Sequence, residues 1–266
     1  MLMVFNQLVI SLGQWTTSIC ITLGEIFLFL LEGFRQIFIT PKLYSKSIKQ
    51  VYIIGTKSLF VISLIGLFTG MVLGLQGYYV LIKFGSVGFL GSAVSLTLIR
   101  ELGPVLTAIM IIARAGSSMT AEIGVMRITD QIDALEVMDI PGIGYLVSPR
   151  IVASLISFPL LTAVFDVIGI IGGYLTGVCL LGVNEGAYFS SIESSTTLSD
   201  INEGSIKALT FAILVILICC YKGYNAHRRR DGRGPEAVAN ATTSAVVVSC
   251  VLVLIADYVV TSAMLR

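Results

Sequence analysis

The stretch Ser58–Ile82, SLFVISLIGLFTGMVLGLQGYYVLI, contains no Asp, Glu, Lys or Arg. As a helix rising about 1.5 Å per residue it outruns a hydrocarbon core about 30 Å thick. It lacks the apolar–polar alternation of a barrel strand, and lipid cannot satisfy an open backbone, so it is expected to span as a helix. Four further stretches are equally free of charge: 151–165, 167–184, 208–221 and 237–256. Across 266 residues, 56% are hydrophobic and 12% charged, against about 25% charged in an average soluble domain. The fold class is an all-α polytopic membrane protein.

Working outward, five spans are expected near Val51–Tyr78, Ser92–Ser117, Ser148–Leu181, Ile201–Tyr221 and Ala237–Met264. Together, 51–266 form a five-span membrane domain. Residues 1–50 form a separate N-terminal element. Its apolar run Ile10–Ile39 is interrupted by Trp15, Glu25, Glu32 and Arg35. Charges at the bilayer centre are costly, so an interfacial or re-entrant element is favoured over a poor sixth span. Thr40–Gln50, TPKLYSKSIKQ, reads as a basic surface linker.

Lys and Arg set the expected orientation. Lys42, Lys46, Lys49 and Lys57 precede or enter the first span. Arg114, Arg127 and Arg150 surround the segment after the second. Lys222, Arg228, Arg229, Arg230 and Arg233 follow the fourth. Counting spans puts all three groups on one side, read as cytoplasmic. The opposite loops hold Lys83 alone, or Glu185, Glu193 and Asp200 with no basic residue at all. The N-terminus is then cytoplasmic and the C-terminus on the far side.

Two glycine rows repeat every four residues: Gly66, Gly70 and Gly74 in the first span, and Gly169, Gly173 and Gly177 in the third. Small residues at this spacing let helix backbones approach closely, within a subunit or across a dimer.

Between the second and third spans lies SSMTAEIGVMRITDQIDALEVMDIPG, Ser117–Gly142. On a single helix over 118–139, Val125, Ile128, Ile132 and Leu135 share one face, while Asp130, Asp133, Glu136 and, with some slack, Arg127 fall away from it. A lipid-surface helix favours Lys and Arg on its polar face. This one is acidic, which suits docking to a partner better than lying beside an anionic leaflet.

The run Arg100–Ala153, RELGPVLTAIMIIARAGSSMTAEIGVMRITDQIDALEVMDIPGIGYLVSPRIVA, resembles the signature region of the MlaE permease family, the membrane subunits of ABC transporters that work with MCE-domain proteins. Tyr221–Thr261 resembles it again, and the likeness spans the chain from the first span to the end. It implies a homodimer seated on two ABC ATPase subunits, with the 118–139 element as coupling helix. Glu122, Met126, Arg127, Asp130, Gln131, Asp133, Leu135 and Glu136 would form the ATPase-coupling surface. A small STAS-type accessory protein is a further implied partner. The resemblance also implies phospholipid cargo, moved between inner and outer membrane from a bacterial inner membrane. The N-terminus shows neither a signal-peptide nor a transit-peptide pattern.

The same resemblance assigns Arg100 and Glu101 to a lipid cavity. Adjacent helical residues point about 100° apart, so each needs its own partner, and Lys207 is the candidate for Glu101. Asp166 and Asp257 are two more intramembrane acids, read as unpaired and structural. Leu73, Tyr78, Val80, Leu81 and Phe84, on the outer half of the first span, supply an apolar surface for acyl chains. The remaining residues exclude more than they propose. No G-x-x-x-x-G-K-[ST] occurs, so ATP and its Mg are expected on the partner ATPase, with no cofactor on this chain. His227 is the lone histidine and Cys20, Cys179, Cys219, Cys220 and Cys250 form no C-x-x-C, so no metal site is expected. Neither H-E-x-x-H nor G-x-S-x-G appears, so no catalytic residue is nominated. Net charge +1 gives no reason to expect nucleic acid. The competing class is a proton-coupled secondary transporter using Glu101, Asp166 and Asp257. It needs no ATPase and leaves the acidic element unexplained.

Overall fold

Five long apolar helices form the body of the computed structural model, which describes residues 2–37, 43–228 and 234–264. Helix α1 is Leu2–Ile37, α2 Leu43–Phe84, α3 Val87–Ile128, α4 Gln131–Val137, α5 Gly142–Leu180, α6 Glu185–Ser195, α7 Leu198–Tyr224 and α8 Pro235–Met264. Helices α2, α3, α5, α7 and α8 are long and apolar enough to cross a membrane. The protein is a multi-pass membrane protein.

Each span is longer than its charge-free stretch. Helix α2 already begins at Leu43, so Leu43–Gln50 is helix where a linker was expected. No glycine or proline lies within Leu43–Gln50, and Ser47 is buried against the body, so packing carries the helix past the apolar run. Thr40–Lys42 and the arginines 229, 230 and 233 lie outside the described residues.

Helix α7 is the central span; α2 and α8 are the outer ones, their apolar side chains facing outward. The glycine rows explain why α2, α3 and α5 pack as they do. Gly66, Gly70 and Gly74 of α2 face the α5 backbone at Phe165, Gly169 and Gly173. A β-carbon on Gly74 would sit 3.0 Å from the Gly173 carbonyl oxygen, and one on Gly70 would overlap the Gly169 carbonyl outright. The α5 row also receives a ridge from α3. Leu98 lies over Gly169, Val94 over Gly173 and Leu90 over Gly177, again every four residues, and all three ridge residues are buried. One stripe of missing side chains thus seats two helices, and close van der Waals contact replaces the hydrophobic drive that lipid does not supply.

Helix α1 is unbroken, which rules out a re-entrant pair. Its last third packs across one end of the bundle: Phe29 stacks on Tyr221 and Tyr224, Gly33 meets Val147 and Ile151, and Ser148 Oγ donates to the Gly33 carbonyl at 2.8 Å. Lys46, Arg127, Arg150 and Lys222 collect at this same end, called the basic end below. At the opposite end α6 lies on the start of α3. Tyr188 is its anchor, fully buried, with its hydroxyl donating to the Ile170 carbonyl at 3.0 Å. Burial pushes that hydroxyl up to about 12, so it remains a donor at any physiological pH.

The element between α3 and α5 is not one helix over 118–139. Ser117–Ile128 continues α3 beyond the lipid-length run, and α4 is a separate short helix. The chain breaks at Asp130, whose φ of +55° lies in the left-handed region; Asp tolerates that region better than most residues. Thr129 Oγ1 donates to the Val125 carbonyl at 2.8 Å, and Arg127 folds forward onto Asp133 at 2.5 Å. Local side-chain bonds outcompete helix continuation there.

Candidate functional site

Two of the spans bring charge into the bundle, and a proline organises where it meets. Helix α3 widens to π geometry at Leu98–Leu102 and continues through Pro104. Proline has no N–H for the carbonyl four residues back, that of Arg100. Lys207 of α7 uses it: Nζ donates to the Arg100 carbonyl at 2.8 Å. The same ammonium lies 2.8 Å from Glu101 Oε2 and 3.1 Å from Asp257 Oδ1 of α8. The ammonium thus hydrogen-bonds one carbonyl and ion-pairs with two carboxylates, although Asp257 Oδ1 is reached by charge rather than by a hydrogen bond of good geometry. Lys207 is 2% exposed, and such burial of an ammonium is tolerable only with partners of this kind. Thr261 Oγ1 donates to Glu101 Oε1 at 3.4 Å.

Gly204 sets the distance between the two helices. A β-carbon there would stand 2.6 Å from the Ile99 carbonyl oxygen, so only glycine lets α7 come this close to α3.

Arg100 turns the other way. Its Nε donates to Asp200 Oδ1 at 2.6 Å and its Nη2 pairs with the same oxygen. Asp200 is buried, and its second oxygen accepts from the Thr197 backbone N–H at 2.7 Å and from the Thr197 hydroxyl at 2.8 Å. Thr197-x-x-Asp200 is a capping box at the start of α7, so the acid that holds Arg100 is itself fixed by the helix end. Arg100 is 45% exposed, and its Nη1 has no partner among the described residues. The cluster holds two cations, Arg100 and Lys207, and three acids, Glu101, Asp200 and Asp257.

Asp257, expected to be unpaired, is ion-paired with Lys207, because α8 packs at the level of the α3 π turn. Asp166 differs. Its carboxylate abuts Gly103, and Oδ1 is buried with no partner in the structure. It lines a cavity of about 180 Å³ with Thr162, Ile201 and Gly204.

A second cavity, of about 290 Å³, opens between α2 and α3. Leu73, Val80 and Leu81 line it, joined by Val94 and Thr97 of α3. Thr97 lies one helical turn before Arg100, which puts the apolar groove and the ion cluster on the same stretch of α3. Tyr78 and Phe84 are not among its lining residues. Tyr78 stacks edge-on against Tyr79, and Phe84 is exposed at the end of α2.

At the basic end, the side chains nominated for coupling divide into two sets. Glu122 pairs with the buried Arg150 at 2.8 Å, Met126 packs on the core, Asp133 pairs with Arg127, and Glu136 accepts from the Tyr224 hydroxyl at 2.9 Å. Arg127 also donates to His227 Nδ1 at 3.1 Å and stacks over the Tyr224 ring. These bonds hold α4 against α3 and α7. Asp130 and Gln131 are exposed, Leu135 is half-buried, and Val137, outside the nominated set, is the most exposed of the large apolar residues described, at 88%. Of the amphipathic face read over 118–139, Ile132 is buried but Val125 is exposed, since the break at Asp130 rotates the two halves apart.

Sequence reasoning passed over Asp200 as a site residue and counted it only toward loop charge. The T-x-x-D spacing from Thr197 was the signal that could have found it. Thr261 carried no such signal; only the packing of α8 brings it to Glu101.

Residues 47–263 match the family model described as Permease MlaE. The intermembrane phospholipid transport system permease protein MlaE of Haemophilus influenzae is 44% identical over 218 residues, 82% of each chain. A probable ABC transporter permease protein of Rickettsia bellii is 39% identical over 251 residues, 94% of this chain and 95% of that protein. The chloroplastic TRIGALACTOSYLDIACYLGLYCEROL 1 protein of Arabidopsis thaliana is 31% identical over 245 residues, 92% of this chain and 67% of that protein.

Proposed function

We propose a function from one premise: the chain belongs to the MlaE permease family. It is the membrane subunit of an ATP-driven lipid transporter, working as a homodimer on an ABC ATPase and with an MCE-domain protein. Its cargo is phospholipid moved between the inner and outer membranes. The basic end faces the cytoplasm, where ATP is hydrolysed on the partner subunit.

The observation that carries this reading is the shared stretch of α3. An apolar groove lined by Leu73, Val80 and Leu81 runs to within one turn of a half-exposed arginine. A phospholipid has that pattern: apolar tails and one anionic phosphate. Arg100 is held by Asp200 through Nε and Nη2, which leaves Nη1 for a phosphate oxygen. Glu101 and Asp257 are both committed to Lys207, which argues against the proton-coupled alternative. Of its three acids, only Asp166 lacks a counter-charge.

Lipid transfer measured with the assembled transporter in proteoliposomes tests the reading. Arg100→Gln is expected to lower transfer by about tenfold or more while the protein assembles normally. Transfer at the native rate would remove Arg100 from the lipid path.

The coupling surface makes a separate prediction. Val137 and Met138 are exposed apolar residues at the tip beyond the lipid-length run, whereas Asp133 and Glu136 are engaged within the subunit. Val137→Asp with Met138→Asp is expected to release the ATPase on size-exclusion chromatography while the permease dimer persists. Glu136→Gln should keep it bound. Retention of the ATPase by the double variant would move the docking surface elsewhere.

A further inference from the structure

At the basic end, a cleft of about 350 Å³ opens between the start of α2, the end of α3 and the start of α5. Among its lining residues are three cations, Lys46, Lys49 and Arg150, and one acid, Glu122. Glu122 pairs with Arg150 Nη2 at 2.8 Å, and basic side chains outnumber acidic ones three to one among the lining residues. Arg150 is 2% exposed, and its Nη1 donates to the Leu146 carbonyl at 2.6 Å. Its Nε, a donor, is buried with no partner. Buried N–H groups of a guanidinium are rarely left unused, since each costs free energy comparable to a lost hydrogen bond. Lys46 lies 3.3 Å above the ring of Tyr145, which places an ammonium at the rim on an aromatic platform. Lysines in the first turns of a span beside an exposed tyrosine mark the headgroup level of a bilayer.

We propose that this cleft binds a phosphate group, with Lys46 and Lys49 as its rim and Arg150 at its floor. The phosphate comes either from an anionic lipid headgroup of the adjoining leaflet or free from solution. The two lysines supply point charges and Arg150 a fixed donor, the arrangement expected for a mobile anion arriving at a buried guanidinium. The site lies at the far end of the bundle from the groove between α2 and α3, and its occupancy does not depend on transport. Because Arg150 is tied to Glu122 of α3, a bound phosphate also bears on the helix that leads into α4.

The test is a binding titration with the purified full chain in a neutral detergent. The probes are dihexanoyl phosphatidylglycerol below its micelle concentration, inorganic phosphate, and dihexanoyl glycerol as a phosphate-free lipid. Saturable binding of the phosphatidylglycerol is expected, weakened about tenfold in the Lys46→Gln, Lys49→Gln double variant and restored by arginine at both positions. Arg150 is left intact, because its removal strands Glu122 and threatens folding. Binding of the lipid without inorganic phosphate assigns a headgroup site, and binding of both with mutual competition assigns a site for phosphate as such. Equal binding of dihexanoyl glycerol, unchanged affinity in the glutamine double variant, or no saturable binding of either phosphate probe would overturn the proposal.

Discussion

Lys207→Met is expected to leave little folded protein in the membrane. The substitution keeps the length and apolar stem of the side chain and removes only the ammonium. Glu101 and Asp257 then face each other without a cation, and the Arg100 carbonyl, which Pro104 cannot serve, loses its donor. Breaking a buried charge pair from one side costs about 3–5 kcal/mol; Asp257, 21% exposed, is stranded toward that range, while water screens part of the cost at Glu101, 42% exposed. That is a large fraction of the few kcal/mol by which a domain is stable. The readouts are the monodisperse yield on size-exclusion chromatography and the thermal midpoint in detergent. A companion variant separates structure from function: Lys207→Met with Glu101→Gln and Asp257→Asn removes every charge of the triad. It is expected to recover most of the yield, because neutral amides and carbonyls tolerate burial better than unpaired carboxylates. A Lys207→Met single variant that accumulates and melts like the native chain would show that the triad does not hold α3, α7 and α8 together.

Gly70→Val is expected to separate α2 from α5. The β-carbon position at Gly70 already overlaps the Gly169 carbonyl, and backbone cannot swing aside as a side-chain tip can. Overpacking a well-filled contact costs about 1–3 kcal/mol, and a clash with backbone lies at or beyond the top of that range. Position matters as much as size. Gly74→Ala meets the Gly173 carbonyl oxygen at 3.0 Å and needs only a small shift. Gly77→Ala meets only the tip of Leu90 at 2.9 Å, which can change rotamer. The expected order of thermal midpoints is native, Gly77→Ala, Gly74→Ala, Gly70→Ala, then Gly70→Val. Equal midpoints for Gly70→Val and Gly77→Ala would mean the two glycine rows do not bear on each other. Variants at Gly66 should fall between Gly70 and Gly74, since its β-carbon would stand 2.9 Å from the Phe165 carbonyl oxygen.

Much of the membrane body was legible in the chain. Charge-free stretches longer than the bilayer core announce spans, because each unpaired charge or open peptide group in hydrocarbon is costly enough to exclude other structures. The glycine rows were equally legible, as periodicity of four is a property of the helix itself. Their partners were not. That the α5 row would take a Leu90–Val94–Leu98 ridge on one side and the α2 backbone on the other depends on which helices are neighbours. The lengths of the helices beyond lipid were missed for a related reason. Hydropathy reports the slab of hydrocarbon, whereas α2 from Leu43 and α3 to Ile128 are prolonged by protein contacts outside it.

The candidate site divides the same way. Arg100, Glu101 and Lys207 stood out because ionisable residues inside apolar runs are expensive. Residue type and position alone therefore singled out these three residues and five helices long and apolar enough to cross. Asp200 and Asp257 could not be assigned so directly: one sits in a loop-like, acidic stretch, the other alone in its span. Only tertiary structure decided that Asp200 clamps Arg100 and that Asp257 shares Lys207 with Glu101. It also broke the 118–139 element at Asp130 and turned Asp133 and Glu136 inward to Arg127 and Tyr224. The physical reason is range. The penalty for burying a charge acts on each residue by itself and is written along the chain. The partner that cancels the penalty is chosen by a contact of about 3 Å between side chains such as Arg100 and Asp200, 100 positions apart, and that distance exists only once the helices have packed.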